Sequence, residues 1–134
     1  MSDAPPAAHG SPGRPSWRDL PYRALGFRIA HVLWGIVELG ALTHVWRSAL
    51  LRTRGRYLWP SMTLLLMQGA ALVVGRGNCP FGPFQRQLGD PVPMFELVLP
   101  PWAAKAAIPA LFTAAVAGMV AVLLRPPLPP SSPS

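Results

Sequence analysis

Four side chains of the types that carry protons, metal ions or thiol chemistry lie inside or beside long apolar runs of this 134-residue chain: His31, Glu38, His44 and Cys79. Glu38 sits near the middle of the first run, where a bare carboxylate in lipid costs at least a few kcal/mol. At 100° per residue, His31, Trp34, Gly35, Glu38 and Leu42 share one helix face. Gln68, in the second run, falls within a few ångströms of the same depth at about 1.5 Å per residue. A Glu38–Gln68 contact is therefore feasible, and polar groups facing each other across membrane helices most often act as glue. The chemical alternative is a proton-relay or ligand-binding carboxylate, which would suit a small transporter or proton-conducting oligomer.

His31 and His44 are 13 residues apart, a separation also found where paired membrane helices hold two haems. Axial ligands must come from somewhere, and the remaining histidine, His9, lies in a Pro-rich tail. Two interfacial histidines and no cofactor are the simpler expectation. Cys79 is the single cysteine, so no internal disulfide can form. With His31 it suggests a thiol or metal site, and Arg76 and Arg86 would favour a thiolate if close. A structural zinc site needs four ligands, and Cys79, His31, Asp90 and Glu96 are all that this part of the chain offers, so no metal is expected. Walker, HExxH, CxxC and serine-elbow motifs are absent, and Gly75-Arg76-Gly77-Asn78 lacks the spacing of a phosphate loop. No catalytic residue is assigned, and the chain is expected not to be an enzyme.

The elements that must position these residues are apolar runs. Ile29 to Trp46, closed by Arg28 and Arg47, is about as long as the shortest bilayer span. Its polar residues, and the lack of a small-residue cleavage site after it, argue for a retained span over a signal peptide. Leu58 to Val74 follows, with Pro60 in the first turn, where proline is tolerated, and with Tyr57 and Trp59 placed for an interfacial belt. The third run reaches Leu124 after Pro101; Pro109 should kink it, and Lys105 near its start can snorkel to the headgroups. Between the second and third runs, Asp90 to Leu99 is too short to span. Its Asp followed by prolines reads as the start of a short interfacial or re-entrant helix. Ala110, Ala114 and Gly118 recur every four residues, the small-residue spacing that lets membrane helices approach closely.

Composition agrees with this outline. Apolar residues make up 51% of the chain and charged ones only 13%, well under the quarter usual in soluble domains. The net charge of +7 is carried almost wholly by arginines at the ends of the apolar runs. No basic stripe with interleaved aromatics appears, so nucleic acid is not an expected partner. The expected architecture is all-α: a transmembrane bundle of about three spans (29–46, 58–74 and 102–124) plus the short interfacial or re-entrant helix. The helical domain covers 26–125, between disordered Pro-rich tails at 1–25 and 126–134.

Three spans would gather Arg28, His31, Arg76, Cys79, Arg86, Asp90, Glu96 and Lys105 on one side. His44, Arg47, Arg52, Arg54, Arg56 and Arg125 would gather on the other. The arginine-rich Arg47–Arg56 loop is expected in the cytoplasm by the positive-inside rule, which puts the Cys79 loop outside the cell membrane. The expected partners are the lipid bilayer and either a second copy or another membrane protein.

Gly77-Asn78-Cys79-Pro80-Phe81-Gly82-Pro83-Phe84, directly after an apolar run, resembles an uncharacterised family of small bacterial multi-pass membrane proteins that carries a domain-of-unknown-function label. In that family a Cys-Pro with a second proline three residues on closes the second helix. An acidic, aromatic segment ending in proline then precedes the last helix, a place that Phe95-Glu96-Leu97-Val98-Leu99-Pro100 fills here. The likeness extends over about Phe27 to Leu124. The chain departs from the pattern in its Pro-rich amino-terminal tail and in lacking a histidine beside Glu96. The resemblance implies topology and no activity. The candidate functional or helix-packing residues are thus Glu38, Gln68, His31, Cys79, Glu96 and Lys105.

Overall fold

The computed structural model describes residues 20–76, 79, 81–90 and 92–128, with Met94 described by its backbone alone. Among the described residues every regular element is helical and there is no strand. Helix α1 runs Tyr22–Leu51, α2 Leu58–Val74, α3 Gly82–Gln87 and α4 Pro101–Leu124, with a 3-10 turn at Met94–Leu97 between the last two. The outer parts of the two tails, and Gly77, Asn78 and Pro80 of the family-like segment, lie outside the described residues.

Helix α1 has 30 residues, about 45 Å at 1.5 Å per residue. It overruns the expected 29–46 at both ends because Arg, Ala and Leu are good helix formers and no proline intervenes. Pro21 precedes it in an extended conformation, and its carbonyl accepts the Leu25 N–H at 3.0 Å. At the far end Arg52 turns left-handed (φ 54°), and Thr53 N–H closes back on the Ser48 carbonyl at 3.1 Å, the reversal that commonly ends helices.

Helix α2 keeps the limits expected from its apolar run. The six-residue α3 was not anticipated; Pro83 opens it, and Gly89 follows it at φ +89°, a conformation that costs glycine little. The expected short helix over Asp90–Leu99 shrinks to the 3-10 turn. Helix α4 continues through Pro109 as one element. That proline removes the N–H that would serve the carbonyl one turn earlier, while its own carbonyl accepts the Thr113 hydroxyl at 2.8 Å.

Helix α1 is the hub: it packs against both α2 and α4, which touch each other far less. The buried cluster takes Ala41, Val45 and Ala49 from α1, Leu58, Met62 and Leu65 from α2, and Ala115, Met119 and Val122 from α4. Each set follows the three- and four-residue spacing of one helix face. The approach of α1 to α4 is close at Gly118, where an added Cβ would lie 3.1 Å from the Trp46 indole nitrogen. That same nitrogen donates to the Ala114 carbonyl at 3.0 Å. Ala114 and Gly118 of the small-residue row therefore serve this contact, whereas Ala110 is exposed. At the same end Arg54 donates to the carbonyls of Val122 and Arg125, supplying donors that the last turn of α4 lacks.

Outside this core the helices are apolar and uncovered. Leu33, Ile36 and Val37 on α1, Leu66 and Met67 on α2, and Leu123 and Leu124 on α4 are all more than half exposed. In the most apolar 18-residue stretches of α1 and α4 only 11% and 17% of the residues are buried. Both helices are long and apolar enough to cross a membrane, and α2, at 17 residues, is a shorter apolar helix.

Candidate functional site

The polar chemistry of the molecule concentrates where the first third of α1 meets the segment joining α2 to α4. Arg28 and Asp90, 62 residues apart, form a buried ion pair with side chains 2% and 0% exposed. Arg28 Nε donates to Asp90 Oδ2 at 2.7 Å and Nη2 donates to Oδ1, a two-pronged fit of guanidinium to carboxylate. Asp90 Oδ1 also takes the Val92 N–H at 3.2 Å, and Oδ2 takes the Gln85 amide at 3.1 Å. Burial alone would raise the Asp90 pKa. The hydrogen bond from Arg28, the Val92 N–H, the Arg28 charge and the Gln85 amide together outweigh it and hold the carboxyl below the usual range.

These bonds correct two expectations. Asp90 caps no helix: the 3-10 turn follows Pro93 and has no side-chain cap. Arg28 does not end the first helix either, but lies buried within it. A helix-start pattern and a flanking arginine are local cues, and neither reveals a partner 62 residues away.

Gln85 ties this pair to the segment that follows it. Its amide nitrogen donates to the Val92 carbonyl at 2.7 Å as well as to Asp90. A second cluster lies nearby, where His31 Nε2 is 3.7 Å from Cys79 Sγ. Aromatic rings frame the imidazole edge to face, with Phe27 and Phe81 each at a centroid distance of 5.8 Å; Phe84 packs on Phe27 at 5.3 Å. Phe81 and Phe84 remain half exposed, and Cys79 is half-buried.

Two of the six candidates, His31 and Cys79, are thus in contact. Glu38 is not among their neighbours: it lies two turns further along α1, where Oε1 accepts the Trp34 indole N–H at 2.6 Å. The feasible Glu38–Gln68 contact is not made as a hydrogen bond; Trp34, one turn away on the same helix, satisfies the carboxylate locally. Gln68 is half-buried on α2, Glu96 lies in the 3-10 turn, and Lys105 is exposed on α4. Sequence reasoning missed Gln85, the residue that joins the ion pair to the Val92 carbonyl. No pattern marks it, since its role depends on α3, a helix too short to leave a periodic trace.

His44 stands apart at the other end of α1, with a buried Nε2 that has no hydrogen-bond partner. Among the described residues no group of three or more His, Cys, Asp and Glu converges as metal ligands would. What this arrangement can do chemically is hold a thiol beside an imidazole that aromatic rings frame, next to a buried ion pair. No family model, curated protein or solved structure matches the chain, so the resemblance drawn from the Cys79-Pro80-Phe81-Gly82-Pro83 segment stays an expectation.

Proposed function

We propose that the chain is a multi-pass integral membrane protein that works by helix packing, as an accessory subunit of a membrane complex or as a homo-oligomer. The supporting observation is the uncovered apolar surface on α1, α2 and α4. A core helix of a soluble domain hides its apolar face, whereas here long apolar helices expose most of theirs. In water that surface would be far larger than the patches monomers tolerate; lipid tails or a partner helix remove the penalty. Helix α1 contributes Ala41, Val45 and Ala49 to the shared core, a role that suits a retained span better than a cleaved leader. In this reading α1, α2 and α4 cross the membrane. The Arg47–Arg56 loop is cytoplasmic, and the Arg28–Asp90 region lies outside at the membrane boundary.

Alkaline carbonate washing of membranes from expressing cells tests the reading. The chain should stay with the membrane pellet and leave it only in detergent. Recovery in the carbonate supernatant would refute it.

The runner-up, a membrane redox or ligand-binding protein using Cys79, His31 and Glu38, is favoured by one observation, the contact between Cys79 and His31. Glu38 drops out of it, being engaged with Trp34. A proton-conducting role for Glu38 is the remaining alternative, and proton flux into proteoliposomes that survives Glu38→Gln would remove it.

A further inference from the structure

We propose that the arginine-rich end of the molecule binds an anionic phospholipid, with the phosphate held by Arg47 and one acyl chain laid in a groove along α1. The inference rests on the membrane placement proposed above and adds to it the class of lipid and the residues that select it.

The charge at this end has one sign. Arg47 stands in the last turns of α1, Arg52, Arg54 and Arg56 in the turn between α1 and α2, and Arg125 just after α4. All five are exposed. Arg54 ties the turn to the end of α4 through the Val122 and Arg125 carbonyls, and Arg56 lies over the Tyr57 ring at 4.6 Å. The sequence has no aspartate or glutamate between Glu38 and Asp90, and none after Glu96. Each of these three acids is elsewhere. Asp90 is buried against Arg28, near the start of α1. Glu96 precedes α4, at the opposite end of that helix from Arg125. Glu38, which accepts the Trp34 indole N–H, lies roughly 13 Å from Arg47 along the helix axis. The positive charge is therefore left for something outside the chain.

The surroundings of Arg47 select the partner. Two neighbouring rows at four-residue spacing, Leu42–Trp46–Leu50 and Thr43–Arg47–Leu51, line an open groove on α1. Its lining is apolar apart from Arg47, because the Thr43 hydroxyl is already given to the Leu39 carbonyl at 2.8 Å. Leu50 and Leu51 are both more than half exposed. An apolar track with one guanidinium on it, leading into a turn of further arginines, is complementary to an amphiphile with a negative head. The acyl chain runs from Arg47 toward Leu42, into the bilayer, and the planar guanidinium meets two phosphate oxygens at once. Tyr57 and Trp59, also more than half exposed at this end, suit the level of the headgroups. A soluble polyanion or an acidic protein would answer the arginines and leave the groove bare.

The test gives the full chain, in a neutral detergent, equal amounts of phosphatidylglycerol and phosphatidylcholine with identical acyl chains. Native mass spectrometry reads the lipid retained. Phosphatidylglycerol should be favoured at least about fivefold, the effect of one arginine near an anionic surface. Arg47→Gln should remove most of that preference. Arg76→Gln removes the same charge from an exposed site just past the far end of α2 and should leave the preference intact. Glycerophosphoglycerol, the headgroup without its chains, should not displace the bound lipid at equal concentration. Equal retention of the two lipids by the wild type would overturn the proposal. So would equal losses in the two variants, since the attraction would then be one of net charge. Displacement by glycerophosphoglycerol would assign the site to a free phosphate ester and overturn the lipid. Failure of the membrane placement would appear separately, as release of the chain by carbonate washing. A chain that stays in the pellet and shows no lipid preference would refute this inference alone.

Discussion

The Arg28–Asp90 pair shows how burial changes what a charged residue is worth. Two ions taken out of water are costly, and replacing both with well-packed apolar residues is often neutral or better, whereas removing one strands the other. Asp90→Ala should therefore destabilise the fold by about 3 kcal/mol, read as a lower thermal midpoint in detergent. The double variant Arg28→Met/Asp90→Leu should recover most of that loss. The pH dependence follows from the depressed Asp90 carboxyl. Its contribution is fully present above the ordinary carboxylate pKa and is lost as pH falls below that value through the folded one. The midpoint of the wild type should fall toward the Asp90→Ala value on acidification, and the variant should show a shallower fall. Residues 28 and 90 were legible as members of one end of the molecule, because three antiparallel apolar runs dictate which loops share a side. Their pairing was not: an arginine next to an apolar run looks the same whether it meets headgroups or a buried carboxylate.

Among the elements, the long helices could be read from the sequence and the short ones could not. Leu58–Val74 and the end of the last helix at Leu124 match their apolar runs, since hydrophobic length is a property of the run itself. Helix α3 has six residues, too few for a periodic pattern, so its Gln85 escaped notice. The overrun of α1 has the same origin: apolarity marks the part suited to lipid, whereas the helix continues as long as good helix formers do. At the α1–α4 contact, Gly118→Val should cost about 1–3 kcal/mol by overpacking against Trp46, measured by thermal unfolding in detergent. Valine at the exposed Ala110 should cost much less. Arg54→Ala leaves the terminal carbonyls of α4 without their donor and should cost about 1 kcal/mol. Faster hydrogen exchange should follow in the last turn of α4 before it does in α2.

For the whole molecule, one physical fact governs the account: the nine-residue core is small beside the apolar surface left outside it. In water such a chain would have little reason to present Leu33, Ile36 and Val37 outward, while in a bilayer those residues face their natural solvent and polar groups are the ones that need partners. The internal satisfaction of Arg28, Asp90, Gln85 and Glu38 fits that inversion. Composition foretold this apolar exterior, because 13% charged residues cannot cover a molecule of this size. The face that a partner would take was not legible, since lipid and a neighbouring helix select the same side chains.

The most direct measurement of the membrane placement is a nitroxide at Val37, introduced as Val37→Cys in a Cys79→Ser chain reconstituted in lipid vesicles. Relaxation of the label by oxygen and by a chelated nickel reagent reports whether lipid or water surrounds it. The account predicts strong relaxation by oxygen and exclusion of nickel at Val37, with the reverse for a label at Thr53. Nickel access at Val37 equal to that at Thr53 would contradict it.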